Sequence, residues 1–291
     1  MLGSASLWAV WAYDFAFNAG RYVIAAVPAF LVFWVWGRER WRHRLVNRAF
    51  ARGRQMRREI AYSASTALVF SLVGVGVVVG ARAGILPMYR HVAQRGWGYF
   101  AFTVAFLVVA QDTYFYWTHR AMHHPLVFRW MHRVHHMSHD PSPFSAYAFA
   151  PAEAFVHAAF VPLVALWLPL HPAAVGVFLG FMIARNVLGH LGLELFPRWF
   201  TRSRWTRWST TTTHHTLHHR RVGTNYGLYF TWWDRAMGTT DRTYEETFDA
   251  VFRRERFPRD AATIPSPASA TSGGDHVASS APAALQPHPL D

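Results

Sequence analysis

The sequence predicts an all-α fold: an integral membrane bundle of about four to five hydrophobic segments with a cytosolic, histidine-rich helical cap. The first observation is composition, since 52% of the 291 residues are hydrophobic and 15% are charged, against about 25% charged in soluble domains. The second is that the apolar residues form runs close to the roughly 20 residues that span a bilayer. The third is that most of the 18 histidines are clustered at the ends of these runs and between them.

The N-terminal part, residues 1–96, is predicted to contain membrane spans and a basic cytoplasmic loop. One apolar run covers residues 22–36, and a second covers about residues 60–85. Nine arginines lie between residues 38 and 58, and the chain contains no lysine. Because short basic loops remain in the cytoplasm, this loop predicts the orientation of every later span.

Residues 97–245 are predicted to form the functional domain. A third apolar run covers residues 97–117, and a helical hairpin is predicted over residues 151–188. Counting spans from a cytoplasmic basic loop places every histidine cluster on the cytoplasmic side. The tail, residues 260–291, is rich in Ala, Ser and Pro and has no apolar periodicity, which predicts disorder.

Charge and cysteine content exclude several classes of protein. The formal net charge of +13 suits either nucleic acid or anionic lipid. Much of that charge lies beside apolar runs, so we expect contact with the membrane and no nucleic-acid partner. The chain has no cysteine, which excludes disulfides, thiolate metal sites and a cysteine nucleophile. Any metal ion must therefore be bound through nitrogen or oxygen.

Nine histidines form three clusters and one single residue. Histidines spaced three or four apart lie on one face of a helix, and two of the clusters share the spacing HxxHH. The nine are His119 and His123; His132, His135 and His136; His190; and His215, His218 and His219. Imidazole binds zinc, copper, iron and nickel, and one ion takes about three or four such ligands. Nine ligands predict two adjacent metal ions, an arrangement able to split dioxygen. Iron fits that chemistry, and spacing alone leaves zinc open.

Several neighbouring residues are candidates for contacts that orient these ligands. Asp112 is predicted either to accept an imidazole N–H or to pair with an arginine such as Arg120. Glu153 is predicted either to lie at a helix N-terminus, where negative charge is stabilising, or to contact a ligand. Three histidines adjoin the clusters and are further candidates: His124, His139 and His214. Isolated histidines, including His157, are expected mostly on the surface or in loops.

Three other classes of protein remain alternatives at this stage, and one is a lipid-binding protein that has lost activity, which only its metal content would distinguish. A histidine-rich metal transporter or metal store would carry its ligands within the spans, along a path. Here the histidines lie at the ends of spans and in the cap. A zinc membrane hydrolase would need an open three-ligand site with a glutamate base, as in HExxH, and the sequence contains no such motif.

Four segments resemble the signatures of the fatty acid hydroxylase/sterol desaturase superfamily, in its bacterial form. They are DTYFYWTHRAMHH at 112–124, HRVHH at 132–136, NVLGH at 186–190 and HHTLHHRRVGTNYGLYFTWWDRAMGT at 214–239. The resemblance covers about residues 100–240, and the N-terminal spans match only in type. Ala150 and Thr216 depart from the family pattern, which often has His and Asp there. Neither is a ligand position in the family, so the departures bear on the surroundings of the ligands.

The resemblance implies an O2-dependent, non-haem di-iron enzyme that hydroxylates or desaturates a lipid such as a sterol, a hopanoid or a fatty acyl chain. It implies two iron ions held by the nine histidines, with zinc as a substitute metal. Asn186 occupies the position of a tenth ligand, weak or water-mediated. Electrons would come from a ferredoxin- or cytochrome-type protein with its reductase. We expect the chain in a bacterial inner membrane, with the histidine clusters and the C-terminus in the cytoplasm.

Overall fold

The computed structural model describes residues 5–254, and the tail for which disorder is predicted lies outside them. The long helices are α1, Leu7–Phe30; α3, Gly53–Arg82; α4, Gly96–Met122; α7, Pro151–Ala165; and α8, Pro172–Gly189. The short helices are α2, Arg38–Trp41; α5, Pro125–Met131; α6, Arg133–His136; α9, Thr212–Arg220; α10, Trp232–Ala236; and α11, Tyr244–Arg253. Over the described residues the chain forms no strand, which confirms the predicted all-α class.

Over residues 5–254, four helices are long and apolar enough to cross a membrane: α1 with its continuation to Trp36, α3, α4 and α8. Only 17–28% of their most apolar windows is buried inside the protein, so much of the apolar surface faces outward, as expected of helices in lipid. Helix α7 has 15 residues, short of the roughly 20 that a span needs. The predicted hairpin at 151–188 therefore has one arm of spanning length, and the first arm ends soon after Pro162.

The first span is continuous. The Ser6 side chain accepts a hydrogen bond from the Ala9 amide at its start, and the helix continues past Phe30 as a π-helical segment, Leu31–Trp36. Within that segment the Trp34 indole donates to the Leu191 carbonyl at 2.9 Å. This bond ties the end of the span to the residue that follows His190.

The basic loop and the histidine-bearing segments lie at the same end of the bundle. Arg220 donates to the Asp140 carboxylate at 2.8 Å and to the Val46 carbonyl at 3.0 Å. Arg58 donates to the Met137 carbonyl at 2.7 Å. Helices α4 and α8 both end here, so their last residues deliver His119 and His190 to one region.

The segment before α7 is held against the first two spans. Tyr22 and Ser63 donate from their hydroxyls to the Phe144 carbonyl at 2.9 and 3.0 Å. Residues 144–149 also join a hydrophobic core with α1, α3 and α8. A second core packs α4, α7 and α8 together. These contacts fix the start of α7, and hence Glu153, beneath the histidine clusters.

Candidate metal centre

The nine predicted histidines come together in two groups, each with its candidate ligand nitrogens within 4.8 Å of one another. None of the nine is more than 9% exposed. The first group contains five imidazoles: His119, His123, His132, His136 and His218. The second contains four: His135, His190, His215 and His219.

Helical geometry explains how each HxxHH cluster serves both groups. Residues four apart are rotated by about 40° around a helix, whereas residues three apart are rotated by about 60° in the opposite sense. Accordingly His132 and His136 share the first group, and His135 belongs to the second. In α9 the same rule places His215 and His219 in the second group and His218 in the first. The sequence-based prediction that each cluster presents its histidines on one helix face is therefore too simple.

The imidazoles point their Nε2 atoms at one another. Eight Nε2–Nε2 separations within the groups are 2.8–3.3 Å. Nitrogens held about 2.0–2.1 Å from a single zinc-like ion lie about 3 Å apart. The spacing and the purely imidazole donor set therefore fit a transition-metal ion in each group.

Hydrogen bonds at Nδ1, on the side of each ring away from the other imidazoles, determine which ring nitrogen can bind a metal ion. The Nδ1 atoms of His119, His190 and His218 lie 2.7–2.9 Å from main-chain carbonyls, and that of His132 lies 2.7 Å from a carboxylate oxygen. Main-chain carbonyls only accept, so the Nδ1 atoms of His119, His190 and His218 carry the proton and their Nε2 atoms present lone pairs. Burial raises the pKa of Glu153, and His132 adopts the same tautomer when that carboxyl is ionised. His119 and His132 then face each other with two lone pairs at 2.8 Å, an arrangement that a cation between them would stabilise.

Burial keeps the imidazoles in the neutral form that binds metals. Desolvation, reinforced by neighbouring imidazoles, lowers the pKa of His123 to about 3 and that of His136 to about 2. Burial also lowers the pKa of His190 to about 4. At neutral pH these groups are unprotonated, so binding a metal does not require the loss of a proton.

Glu153 makes the closest carboxylate contact to the centre. It is fully buried, and its Oε1 accepts from His132 Nδ1 at 2.7 Å. The structure bears out both predicted roles, because Glu153 lies in the first turn of α7 and also contacts a candidate ligand. His157, one turn later, lies 3.5 Å from the same oxygen and stacks on Phe115. The prediction of a surface position for His157 is wrong, because α7 turns this residue inward with Glu153.

The segment 225–234, near the end of the domain, supports a candidate ligand through a main-chain carbonyl. Asp234 accepts from the amides of Tyr226 and Gly227, both at 2.8 Å. This fixes the loop so that the Tyr226 carbonyl accepts from His119 at 2.9 Å. Asn225 adopts φ 58°, and a Cβ on Gly227 would lie 2.3 Å from the Phe230 carbonyl oxygen. The turn therefore favours Asn at position 225 and requires Gly at position 227.

Within the described part of the chain, Asp112 makes neither of its predicted contacts. Its Oδ1 accepts from the amides of Tyr229 at 2.7 Å and Phe230 at 3.1 Å, and Arg120 donates instead to the Tyr116 hydroxyl. The carboxylate lies two turns before His119, where the 226–230 loop crosses α4. Asp112 therefore anchors the loop that supports His119.

The remaining candidates lie around the centre. The Asn186 side chain donates to the Ala146 carbonyl at 2.6 Å, and the Asn186 main-chain carbonyl accepts from His190 Nδ1 at 2.8 Å. His214 is buried, with Nε2 3.3 Å from Asp234. His124 and His139 are exposed, and His124 caps α5 through the Leu126 amide. Among the described residues, no hydrogen bond joins either exposed histidine to the nine.

Fold and site together define a helical membrane protein with a candidate two-metal histidine centre. Residues 104–239 match the family model described as fatty acid hydroxylase. The chain is 28% identical to a delta(7)-sterol 5(6)-desaturase of Gibberella zeae over 185 residues, and 30% identical to a lathosterol oxidase of Rattus norvegicus over 190 residues. It is also 30% identical to a delta(7)-sterol 5(6)-desaturase of Aspergillus fumigatus over 205 residues. These matches support the resemblance to the fatty acid hydroxylase/sterol desaturase superfamily that the motifs indicate.

Each of these three matches covers 64% of this chain. The chain in turn spans 56%, 61% and 62% of the Gibberella, rat and Aspergillus proteins. No solved structure matches the chain significantly.

Proposed function

We propose that this protein is a membrane-bound, O2-dependent di-iron oxidoreductase that desaturates or hydroxylates a lipid. The observation that carries the proposal is the convergence of nine buried Nε2 atoms into two groups. The nine histidines are the proposed ligands, five for one iron and four for the other. When bound, the iron pair supplies the oxidising power of O2 at a C–H bond.

The protein residues fix and protect this centre. Glu153 and the carbonyls of Tyr226, Asn186 and Thr224 hold four imidazoles in one tautomer and orientation. Such outer contacts raise ligand basicity and typically change metal affinity 10- to 100-fold. Burial of all nine rings limits the access of water to the centre. In this proposal Asn186 supports His190 through its main chain.

The reaction needs two electrons from outside the chain. Desaturation takes two hydrogens from adjacent carbons and, with O2, two electrons and two protons, gives a C=C bond and two waters. Hydroxylation converts C–H to C–OH with the same inputs and one water. The names of the relatives favour desaturation of a sterol-like lipid. A ferredoxin- or cytochrome-type protein with its reductase is the proposed donor.

The main rivals account less well for the geometry. A metal transporter would need ligands along the spans, whereas both groups lie at one end of the bundle. A zinc hydrolase would need a carboxylate placed to activate water. Glu153, the carboxylate nearest the first group, is instead bonded to the outer nitrogen of His132.

Lipid analysis with labelled oxygen tests the proposal. Cells or proteoliposomes containing the protein, a redox donor and a mixture of sterols, hopanoids and fatty acyl lipids would be supplied with 18O2. We expect a new lipid that is absent with His218→Ala and retained with His139→Ala, an exposed control. Label in the lipid indicates hydroxylation, and its absence indicates desaturation. No O2-dependent product from iron-loaded protein would contradict the proposal.

We further propose that the histidine end of the bundle faces the cytoplasm of a bacterial cell. The basic loop with its nine arginines contacts the histidine-bearing segments at that end through Val46 and Arg58, and such loops remain cytoplasmic. Because the chain lacks cysteine, single cysteines report topology cleanly. In intact cells, a membrane-impermeant maleimide should label Ala83→Cys and not His139→Cys. Labelling of only His139→Cys would reverse the orientation.

A further inference from the structure

A cavity of about 500 Å³ lies inside the membrane-spanning bundle, between α1, α3, α4, α7 and α8. Its wall is mainly apolar, with Phe70, Val77, Phe160, Phe178 and Leu179 among the lining residues. The volume is within the range of about 300–1,000 Å³ typical of sites for small organic ligands. Tyr13 and Phe17 also line it and are exposed on the outer face of α1, so the cavity opens toward the surrounding lipid.

Three polar residues of α1 form a linked cluster in this wall. Asn18 donates to the Asp14 carboxylate at 3.2 Å, and Arg21 donates to the Asn18 side-chain oxygen at 2.6 Å. Arg21 Nε is buried, and no hydrogen-bond partner for it lies among residues 5–254. A Cβ on Gly74 would lie 1.9 Å from Asp14 Oδ2, so α3 leaves the space that the carboxylate occupies. Ionisable residues within a bundle are costly and mark functional sites.

His157 connects the cavity to both groups of histidines. It lines the cavity, and its ring lies 5.2 Å from Phe115 and 4.9 Å from Phe149, between centroids. Phe115 in turn lies 4.8 Å from His119, and Phe149 lies 5.2 Å from His135. One aromatic ring therefore separates His157 from an imidazole of each group. At this point of its wall, the cavity is separated from each group of histidines by His157 and one further aromatic ring.

We propose that the cavity binds the lipid substrate and that Asp14, Asn18 and Arg21 bind a hydroxyl group of a neutral lipid; this rests on the proposed function. A hydroxyl can donate to the Asp14 carboxylate and accept from Arg21. The formal charges of Asp14 and Arg21 cancel, so the cluster suits a neutral group better than a carboxylate anion, which Asp14 would repel. None of the three residues lies in the 104–239 family match. They would select the lipid, while the histidine domain carries out the oxidation.

Equilibrium binding tests the site without turnover. Purified full-length protein in detergent, as isolated and without an electron donor, would be titrated with radiolabelled cholesterol as a neutral hydroxysterol probe. Arg21→Met and Asp14→Asn should each weaken binding about 10- to 100-fold, the effect of losing a hydrogen bond to a charged group. Arg90→Met, which is exposed and outside the cavity, is the matched control and should bind normally. Equal affinity in all four proteins would overturn the proposal.

Two further measurements use the wild-type chain, so they do not depend on the folding of a variant. Cholesterol methyl ether should compete at least about tenfold less well than cholesterol, and palmitate should not compete. Palmitate competing as well as cholesterol would overturn the hydroxyl assignment. A diazirine-bearing cholesterol analogue should crosslink to cavity residues such as Val77 and Leu179, and crosslinking only elsewhere would overturn the site. Binding at the cavity without any O2-dependent product would contradict the proposed activity alone.

Discussion

Replacing Glu153 with Gln should weaken metal binding at one of the two candidate sites and leave the other site unchanged. The carboxylate and His132 are buried, and Glu153 Oε1 lies 2.7 Å from His132 Nδ1. Glutamine keeps the shape but removes the charge, and charge-assisted hydrogen bonds are roughly twice as strong as neutral ones. His132 belongs only to the five-histidine group. Metal affinity should therefore fall about 10- to 100-fold in that group, which is about 1.4–2.7 kcal/mol, and stay unchanged in the other.

Metal content after dialysis against graded chelator measures this difference. In an intermediate chelator range, the wild type should keep two ions per chain and Glu153→Gln should keep one. Glu194→Gln is the matched control, because Glu194 is equally buried. Its carboxylate accepts hydrogen bonds from the Thr213 amide at 2.9 Å and the Thr213 hydroxyl at 2.7 Å. Identical retention curves for the wild type and Glu153→Gln would refute the role of Glu153. Equal metal loss in both variants would point to general destabilisation.

Three further predictions follow from the same geometry. His135→Ala should abolish product formation and reduce metal bound at the second group, and His218→Ala should do the same at the first group, whereas His139→Ala should match the wild type. Unchanged metal content in both His135→Ala and His218→Ala would contradict the ligand assignment. Asp112→Ala should lower the free energy of unfolding by about 1–3 kcal/mol, because one buried and one partly buried amide lose their acceptor; an unchanged denaturation midpoint would contradict its role in anchoring the Tyr226 loop. Removing metal with a chelator should lower the melting temperature, because ligands that bind the folded state stabilise it, and restoring iron should reverse the change; identical melting curves would contradict a bound metal.

The histidine clusters were predictable because their spacing matches helical periodicity. His119 and His123, four residues apart, do share a group. The division of each HxxHH cluster between the two groups also agrees with helical periodicity. Predicting that division, however, would have required the positions of the helices that face each cluster. His132 also lies at the junction of α5 and α6, with φ −117° and ψ −12°. A change of helix axis there cannot be inferred from spacing.

Long-range contacts account for what the sequence did not predict. Glu153 had two open roles because the partner across the site, His132, is 21 residues away. His157 lacked a cluster, so nothing local marked it as buried. Asp112 bonds to amides 117 and 118 residues later in the chain, and main-chain partners leave no sequence signature. The cavity likewise depends on how α1 packs against α3 and α8.

Iron quantification on the full-length protein tests the central claim most directly. The protein would be purified anaerobically from iron-supplied cells and analysed by mass spectrometry for iron, zinc and copper per chain. We predict two iron ions per chain, falling in His218→Ala and in His219→Ala and unchanged in His139→Ala. A single ion per chain, zinc alone, or no metal that depends on these histidines would contradict the account.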